Sequence, residues 1–205
     1  MPLDADELFA LDAALRAEAA RMLAASGIAA ILAEYGYEAT GSYRLRTMTW
    51  RDLDYERPEE QPNWARHWEV GTRLAETGWC VRLNCVNHYW EGWYLPGLYW
   101  GLRVADPGAS TSAGREDPTV WKLDLWSLPT ERHQRGRARH EAWESRLTEQ
   151  SRALILAIKA RDPQYRRSLL SVHVYEGVLE HGARSEEEFR VWWEGRYGGG
   201  ERAAG

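Results

Sequence analysis

The segment YEATGSYRLRTMTWRDLDY, from Tyr37 to Tyr55, decides the fold of this chain. Its pattern predicts a short strand, a turn at Gly41-Ser42, a brief helix and a second strand that carries Asp52 and Asp54. Glycine and serine favour turns, and the backbone N–H groups at the start of a following helix can hold a phosphate. The segment therefore predicts a phosphate-binding turn next to a strand that bears two acids.

Asp52 and Asp54 are predicted to share one face of the second strand, with Leu53 on the other face, because side chains alternate along a strand. Two carboxylates about 6 to 7 Å apart repel each other unless a cation lies between them. Mg²⁺ usually takes one or two protein carboxylates and fills its remaining positions with water and substrate phosphate. Taken alone, however, Asp-x-Asp is common and favours two solvent-facing acids on an edge strand.

Nine residues, Tyr43 to Arg51, separate Gly41-Ser42 from Asp52-Leu53-Asp54. This spacing resembles the signature of the DNA-polymerase-β-like nucleotidyltransferase superfamily, which is Gly-Ser or Gly-Gly, a spacer of about ten residues, and then Asp-apolar-Asp or Glu. Members of that superfamily carry a third carboxylate between apolar residues on a later strand, and Leu123-Asp124-Leu125 matches that position. The resemblance covers roughly residues 28 to 128.

The resemblance implies a metal-dependent mechanism and a set of site residues. Asp52, Asp54 and Asp124 would hold two Mg²⁺ (or Mn²⁺) ions against the triphosphate of a nucleoside triphosphate. Asp124 would orient or deprotonate the acceptor hydroxyl, while Ser42 and the backbone around Gly41 would hold the terminal phosphates. The implied reaction moves a nucleoside monophosphate from a nucleoside triphosphate to a hydroxyl acceptor that the sequence does not identify.

Basic and aromatic residues elsewhere leave alternatives open. Lys122 shares a strand face with Asp124, so it could reach a phosphate oxygen or pair with one of the acids. Arg44 flanks the phosphate turn and could neutralise phosphate charge, although a solvated arginine is the more common case. The basic run 132–140 could contact an anionic acceptor or RNA, but such runs are more often solvated helix faces. His173 is predicted to be a hydrogen-bonded core histidine, and the aromatic cluster 88–94 is predicted to pack against the helical part or to stack on a ring.

Composition limits the class of protein. The chain has 205 residues, 44% hydrophobic and 28% charged, with a net charge of −5, which disfavours a broad nucleic-acid-binding surface. The two cysteines, Cys80 and Cys85, are expected to be free thiols and do not make a zinc site without further ligands. No segment is predicted to cross a membrane, and the acidic start at Asp4, Asp6 and Glu7 is unlike a signal peptide, so a cytoplasmic location is expected.

The order of predicted elements indicates an α+β fold, with a nucleotidyltransferase-like mixed β-sheet packed with helices and then a C-terminal helical bundle. Beyond the first segment, the predicted strands are 79–86, 98–104 and 120–126. The predicted helices are 4–25, 28–34, 64–76, 130–161, 165–180 and 185–193. Residues 56–62 are predicted to form a loop and 106–118 a hairpin loop, and Trp64, Trp68 and Leu74 are predicted to face the sheet.

These elements are grouped into a catalytic domain at 1–128, a helical region at 129–197 and a disordered tail at 198–205. Two alternatives to the enzyme stay open. The chain could be a catalytically inactive nucleotide- or partner-binding module on the same scaffold, or one component of a toxin–antitoxin pair. A homodimer also stays open.

Overall fold

The computed structural model of the chain describes residues 3–90, 96–108 and 119–198. These residues form a five-stranded sheet with strand order β1-β2-β5-β4-β3. Only the β2–β5 pair is parallel, and the other neighbours are antiparallel. The strands are β1 (Glu38–Thr40), β2 (Asp52–Glu59), β3 (Cys80–Asn87), β4 (Leu98–Ala105) and β5 (Val120–Pro129).

Helices precede, interrupt and follow this sheet, so the α+β class is confirmed. The helices before and between strands are α1 (Ala5–Ala25), α2 (Ile28–Glu34), α3 (Gly41–Leu45) and α4 (Trp64–Glu76). The helices after the last strand are α5 (Thr130–Arg146), α6 (Glu149–Arg161), α7 (Ser171–Tyr175), a π-helical turn (Glu176–Glu180) and α8 (Glu186–Tyr197). Among the described residues, none of the helices combines the length and the apolar character that a membrane crossing requires.

Strand β2 lies inside the sheet, between β1 and β5. The edge-strand interpretation of its two acids is therefore wrong. Its side chains alternate as predicted, since Leu53 and Tyr55 are buried and Asp52 and Asp54 point to the other face. The strand also continues into the segment that was predicted to be a loop. Glu59 is its last residue, because parallel pairing with β5 continues to the end of that strand.

Arg57 explains why a polar segment remains a strand. Its side chain is 2% exposed, and its guanidinium donates to Ser127 Oγ at 2.7 Å and to Glu59 Oε1 at 2.9 Å. The charge is thus paired across and along the sheet, which makes its burial tolerable. The polar residues and prolines of this segment predicted a loop, because the sequence pattern does not show these partners.

The C-terminal helices differ from the prediction at two places. The predicted helix 130–161 is two helices, because Leu147 and Thr148 are extended and the Thr148 hydroxyl accepts from Ser151 N to cap α6. The predicted helix 165–180 begins only at Ser171, since the preceding turn contains Arg166 at φ +67°. The end of that helix is a π-helical turn.

Helix α4 buries a different stripe from the predicted one. His67, Val70, Gly71 and Leu74 are its buried residues, spaced at the helical period. Trp64 is 37% exposed, so its prediction is wrong, whereas Leu74 is buried and confirmed. Trp68 is 53% exposed, but its ring contacts the Trp100 ring of β4 edge-on with centroids 5.3 Å apart, so it lies towards the sheet without being buried. Gly71 leaves the space that the Trp100 ring fills, since a Cβ there would lie 2.3 Å from that ring.

The main core lies between the sheet and the N-terminal helices, while the C-terminal helices form a second core that also contains Leu45. Leu8 of α1 packs against Leu156 and Ala157 of α6. The N-terminal helix therefore contacts both the sheet core and the helical region. Residues 199–205 of the predicted tail, 109–118 of the predicted hairpin loop, and Trp93 and Tyr94 of the aromatic cluster lie outside the described residues.

Candidate metal and phosphate site

Three carboxylates meet on one face of the sheet where β2 and β5 run in parallel. The register places Asp54 opposite Asp124 and Asp52 opposite Lys122. One oxygen from each of Asp52, Asp54 and Asp124 lies within 4.8 Å of the others, which is close enough for all three to share a cation. The structure therefore brings together the three acids that the sequence motif predicted to share a site.

Lys122 already places one cation in this cluster. Its Nζ donates to Asp124 Oδ2 at 2.7 Å and lies 3.1 Å from Asp52 Oδ1. Although burial opposes the charge, these two carboxylates raise the pKa of Lys122 above its ordinary value. Lys122 therefore pairs with the acids, as one of its two predicted roles required, and a phosphate contact by Lys122 stays a prediction.

Asp54 differs from its two neighbours because it has no hydrogen bond or ion pair within the described ranges. Burial raises the pKa of Asp54 to about 8, and the nearby charges of Asp52 and Asp124 add to the shift. Burial is also the main cause that raises the pKa of Asp52, opposed by Lys122. Ionising all three acids together therefore needs more positive charge than Lys122 supplies.

Tyr99 fixes the third acid and was not anticipated from the sequence. Its hydroxyl donates to Asp124 Oδ1 at 2.9 Å from the neighbouring strand β4. Burial and the Asp124 charge raise the pKa of Tyr99, so it remains a donor. Gly101 lies opposite Asp124 and makes room for this contact, because a Cβ on Gly101 would be 2.5 Å from the Tyr99 hydroxyl. The one sequence feature that could have indicated the contact between Tyr99 and Asp124 was a glycine within an alternating apolar strand.

The predicted turn lies directly against the acids. Gly41 has φ +59°, and a Cβ on Gly41 would lie 2.5 Å from Asp54 Oδ2. The position thus requires glycine both for its backbone conformation and for the close approach. The Gly41 N–H points towards His140 Nε2 at 3.4 Å, a long contact that leaves it available to a stronger acceptor.

Ser42 is held from behind by a buried polar group of the C-terminal helices. Lys159 is 3% exposed, and its Nζ donates to Ser42 Oγ at 2.7 Å and to the Thr47 carbonyl at 2.5 Å. Tyr175 completes the group with its hydroxyl 3.1 Å from Ser42 Oγ, and burial raises the pKa of Tyr175 to about 12. The sequence analysis missed Lys159, although a lysine within the apolar run ALILAIKA was a visible anomaly.

Arg44 is placed beside the turn as predicted, but its guanidinium is engaged by a carboxylate. It donates to both oxygens of Glu144 on α5, at 2.9 and 2.8 Å. This bidentate pair connects the brief helix α3 to the C-terminal helices. A phosphate contact by Arg44 stays a prediction.

Two spaces open at the acids. An open cavity of about 1080 Å³ reaches Gly41 and Asp54 and is bordered by the sheet, α5, α7, the π-helical turn and Tyr197. Four basic-run residues line it: Arg132, Arg135, Arg139 and His140. A smaller cavity of about 350 Å³ reaches Asp52 and Lys122.

The other predicted groups lie around these spaces. His173 is half-buried and lines the large cavity, so it is not a core residue, although its Nδ1 accepts from Leu170 N at 3.2 Å as a hydrogen-bonded histidine would. His88 stacks on Trp126 of β5 with ring centroids 5.0 Å apart, so the described end of the aromatic cluster packs on the sheet. Trp90 is 87% exposed.

The three carboxylates suit a hard divalent cation because all of the atoms that they offer as ligands are oxygens. The Asp54 carboxylate is also available to such an ion, since it has no protein partner in the described part of the chain. No protein-family model and no curated protein matches the chain.

Proposed function

We propose that the chain is a metal-dependent nucleotidyltransferase of the DNA-polymerase-β-like superfamily, which transfers a nucleoside monophosphate from a nucleoside triphosphate to a hydroxyl. The observation that carries the proposal is the convergence of Asp52, Asp54 and Asp124 within 4.8 Å, with the positive-φ turn at Gly41 directly against Asp54. A glycine turn and three acids in contact are the parts that phosphoryl transfer needs, because a phosphate and its metal ion must be held together.

The three carboxylates would hold Mg²⁺ or Mn²⁺. When bound, the ion would lower the pKa of the acceptor hydroxyl and neutralise charge on the leaving pyrophosphate. Lys122 would keep part of the site neutral before substrate arrives, since it contacts Asp52 and Asp124. The protein contributes positioning and electrostatics rather than a covalent nucleophile.

Asp124 is the residue suited to act on the acceptor. Tyr99 and Lys122 donate to its two oxygens from different strands, which fixes the orientation of the carboxylate. Held in this way, Asp124 would receive the proton of the attacking hydroxyl. A group that acts mainly on the attacking oxygen contributes more in the transition state than in the ground state.

This role separates binding from chemistry. Asp124→Ala should lower kcat by about 10² or more while triphosphate affinity changes by less than about tenfold. The measurement is single-turnover pyrophosphate release at saturating Mg²⁺, with each of the four ribonucleoside triphosphates and a panel of hydroxyl acceptors. Asp6→Ala, on the exposed first turn of α1, controls for the loss of one carboxylate. Normal turnover by the Asp124 variant would remove this residue from the chemistry.

A second candidate function is nucleotide binding without catalysis, and the position of Lys122 favours it. An ammonium between two of the three acids supplies a cation without any metal ion. Triphosphate binding that is unaffected by Mg²⁺, together with no pyrophosphate release from any acceptor, would favour this module over the enzyme.

A further inference from the structure

A basic groove adjoins the acids on the side of Asp52. It consists of two neighbouring cavities, of about 350 and 500 Å³, which share Trp50, Arg103, Lys122 and Arg166. The large cavity meets the acid cluster at Asp54 instead. The acids thus border both spaces, which meet at Leu170 and Ser171, so a triphosphate on one side and an acceptor on the other would both reach them.

Two cations of this groove have no carboxylate partner among the described residues. Lys122 is paired with two acids of the site, and Arg51, at the groove edge, is paired with Glu18. In contrast, among the described residues the guanidinium of Arg103 makes a single hydrogen bond, which it donates to the Leu102 carbonyl at 3.2 Å. Arg103 lies opposite Lys122 in the β4–β5 register, so it rises from the same face of the sheet as the acids.

Arg166 is the second of these cations, and its position is fixed before any ligand arrives. Its guanidinium carbon lies 3.5 Å from the centroid of the Trp50 ring, which is a close stacking contact. Its backbone adopts φ +67°, an uncommon conformation for a residue other than glycine, and its N–H donates to the Leu169 carbonyl at 2.9 Å. Stacking occupies the face of the guanidinium and leaves its N–H edges directed away from the ring, where they can bind an anion.

We propose that this groove binds the hydroxyl acceptor, and that the acceptor is an anion that carries a phosphate ester. The inference rests on the proposed function. Because Gly41 faces the large cavity, the triphosphate belongs there and the groove is left for the acceptor. Arg103 and Arg166 would bind the ester phosphate, since guanidinium donors match phosphate oxygens in charge and geometry. A cationic acceptor would meet the two guanidinium groups of Arg103 and Arg166, which have no carboxylate partner among the described residues, and would be repelled.

The transfer step balances with this arrangement. The acceptor oxygen forms a bond to the α-phosphorus of the triphosphate, the bond from that phosphorus to pyrophosphate breaks, and the hydroxyl proton passes to Asp124. The phosphate ester of the acceptor takes no part in bond making. Its role is to place the hydroxyl beside Asp52 and Asp124, so loss of the two arginines should weaken acceptor binding and leave the reacting groups intact.

The binding test uses glycerol 3-phosphate and glycerol, which present the same hydroxyls with and without the phosphate ester. The test follows the NMR signal of the Trp50 indole N–H, which is identified because it is missing from the spectrum of Trp50→Phe. Its chemical shift should change to saturation as glycerol 3-phosphate is added and should not change with glycerol. The double variant Arg103→Gln with Arg166→Gln should bind at least about tenfold more weakly, while Arg184→Gln, an exposed cation just before α8 and outside the groove lining, should bind normally. Thermal unfolding of each variant verifies that it is folded.

Four results would overturn the proposal: no saturable shift, an equal shift with glycerol, unchanged affinity in the double variant, or inorganic phosphate binding as tightly as the ester. This titration contains neither nucleotide nor Mg²⁺, so its result is independent of nucleotidyl transfer. A second arm supplies labelled nucleoside triphosphate and compares glycerol 3-phosphate, glycerol and 3-amino-1,2-propanediol as acceptors. Transfer without preference for the anion would reject the acceptor class, whereas intact Trp50 binding without any transfer would count against the proposed function and support the anion site.

Discussion

Replacing Lys122 by methionine tests whether this lysine is the internal counter-ion of the acid cluster. The ammonium lies 2.7 Å from Asp124 Oδ2 and 3.1 Å from Asp52 Oδ1, and the side chains of Lys122, Asp52 and Asp124 are 27%, 16% and 15% exposed. At an effective dielectric constant of about 20, each attraction is about 5 to 6 kcal/mol before desolvation. Exposed ion pairs contribute less than about 1 kcal/mol net, and breaking a buried pair costs about 3 to 5. For this partly exposed pair, we expect Lys122→Met to lower the free energy of unfolding by about 2 kcal/mol.

Urea denaturation in the presence of a chelator measures this loss. Added Mg²⁺ or Mn²⁺ should then stabilise Lys122→Met more than wild type, because a divalent cation can take over the neutralisation of the same carboxylates. Arg82→Met, an exposed cation on β3, controls for the loss of one positive charge. If the Lys122 variant is as stable as wild type in chelator, or if divalent cations stabilise both proteins equally, then Lys122 is not the counter-ion of a metal site.

Two further predictions concern other groups. Burial lowers the pKa of His67 to about 4 from an ordinary value near 6.5, so the neutral ring is favoured in the folded state. Its contribution to stability is present above pH 6.5 and is lost as the pH falls towards 4, which lowers the free energy of unfolding by at most about 3 kcal/mol. His67→Phe should therefore lose less stability between pH 7 and pH 4.5 than wild type does, as measured by urea denaturation at the two pH values. If the variant loses as much stability as wild type between the two pH values, the loss comes from groups other than His67. Gly41→Val should weaken triphosphate binding more than Ser42→Ala does, because a side chain at Gly41 meets both the strain of φ +59° and Asp54 Oδ2; full affinity with valine, measured by calorimetry, would exclude the turn from phosphate binding.

The local part of the site could be predicted from the sequence. The strand period alone placed Asp52 and Asp54 on one face and buried Leu53, and turn chemistry placed a glycine at the start of α3. The adjacency of Asp124 depended on the resemblance to a family. Nothing in the composition of β5 specifies that it pairs in parallel with β2, since pairing between distant strands is decided by the packing of the whole chain.

The supporting contacts could not be predicted because they join distant segments. Tyr99 reaches Asp124 only because Gly101 lacks a side chain, and Lys159 reaches Ser42 only because the C-terminal helices pack behind the turn. The free guanidinium of Arg166 depends on a left-handed backbone in a segment predicted to be helical. Side-chain type indicates the chemistry that a residue can perform. Whether another group already engages that side chain can be seen only in the folded chain.

The central claim is that the three acids bind a metal–triphosphate complex, and calorimetry tests it most directly. Each of the four ribonucleoside triphosphates is titrated into wild type and into the double variant Asp52→Asn with Asp54→Asn, with and without Mg²⁺. We expect Mg²⁺-dependent binding of at least one triphosphate to wild type and its loss in a double variant that remains folded, because neutral amides remove the charge that holds the ion. Unchanged affinity in the double variant, or no Mg²⁺-dependent binding of any triphosphate to wild type, would contradict the account.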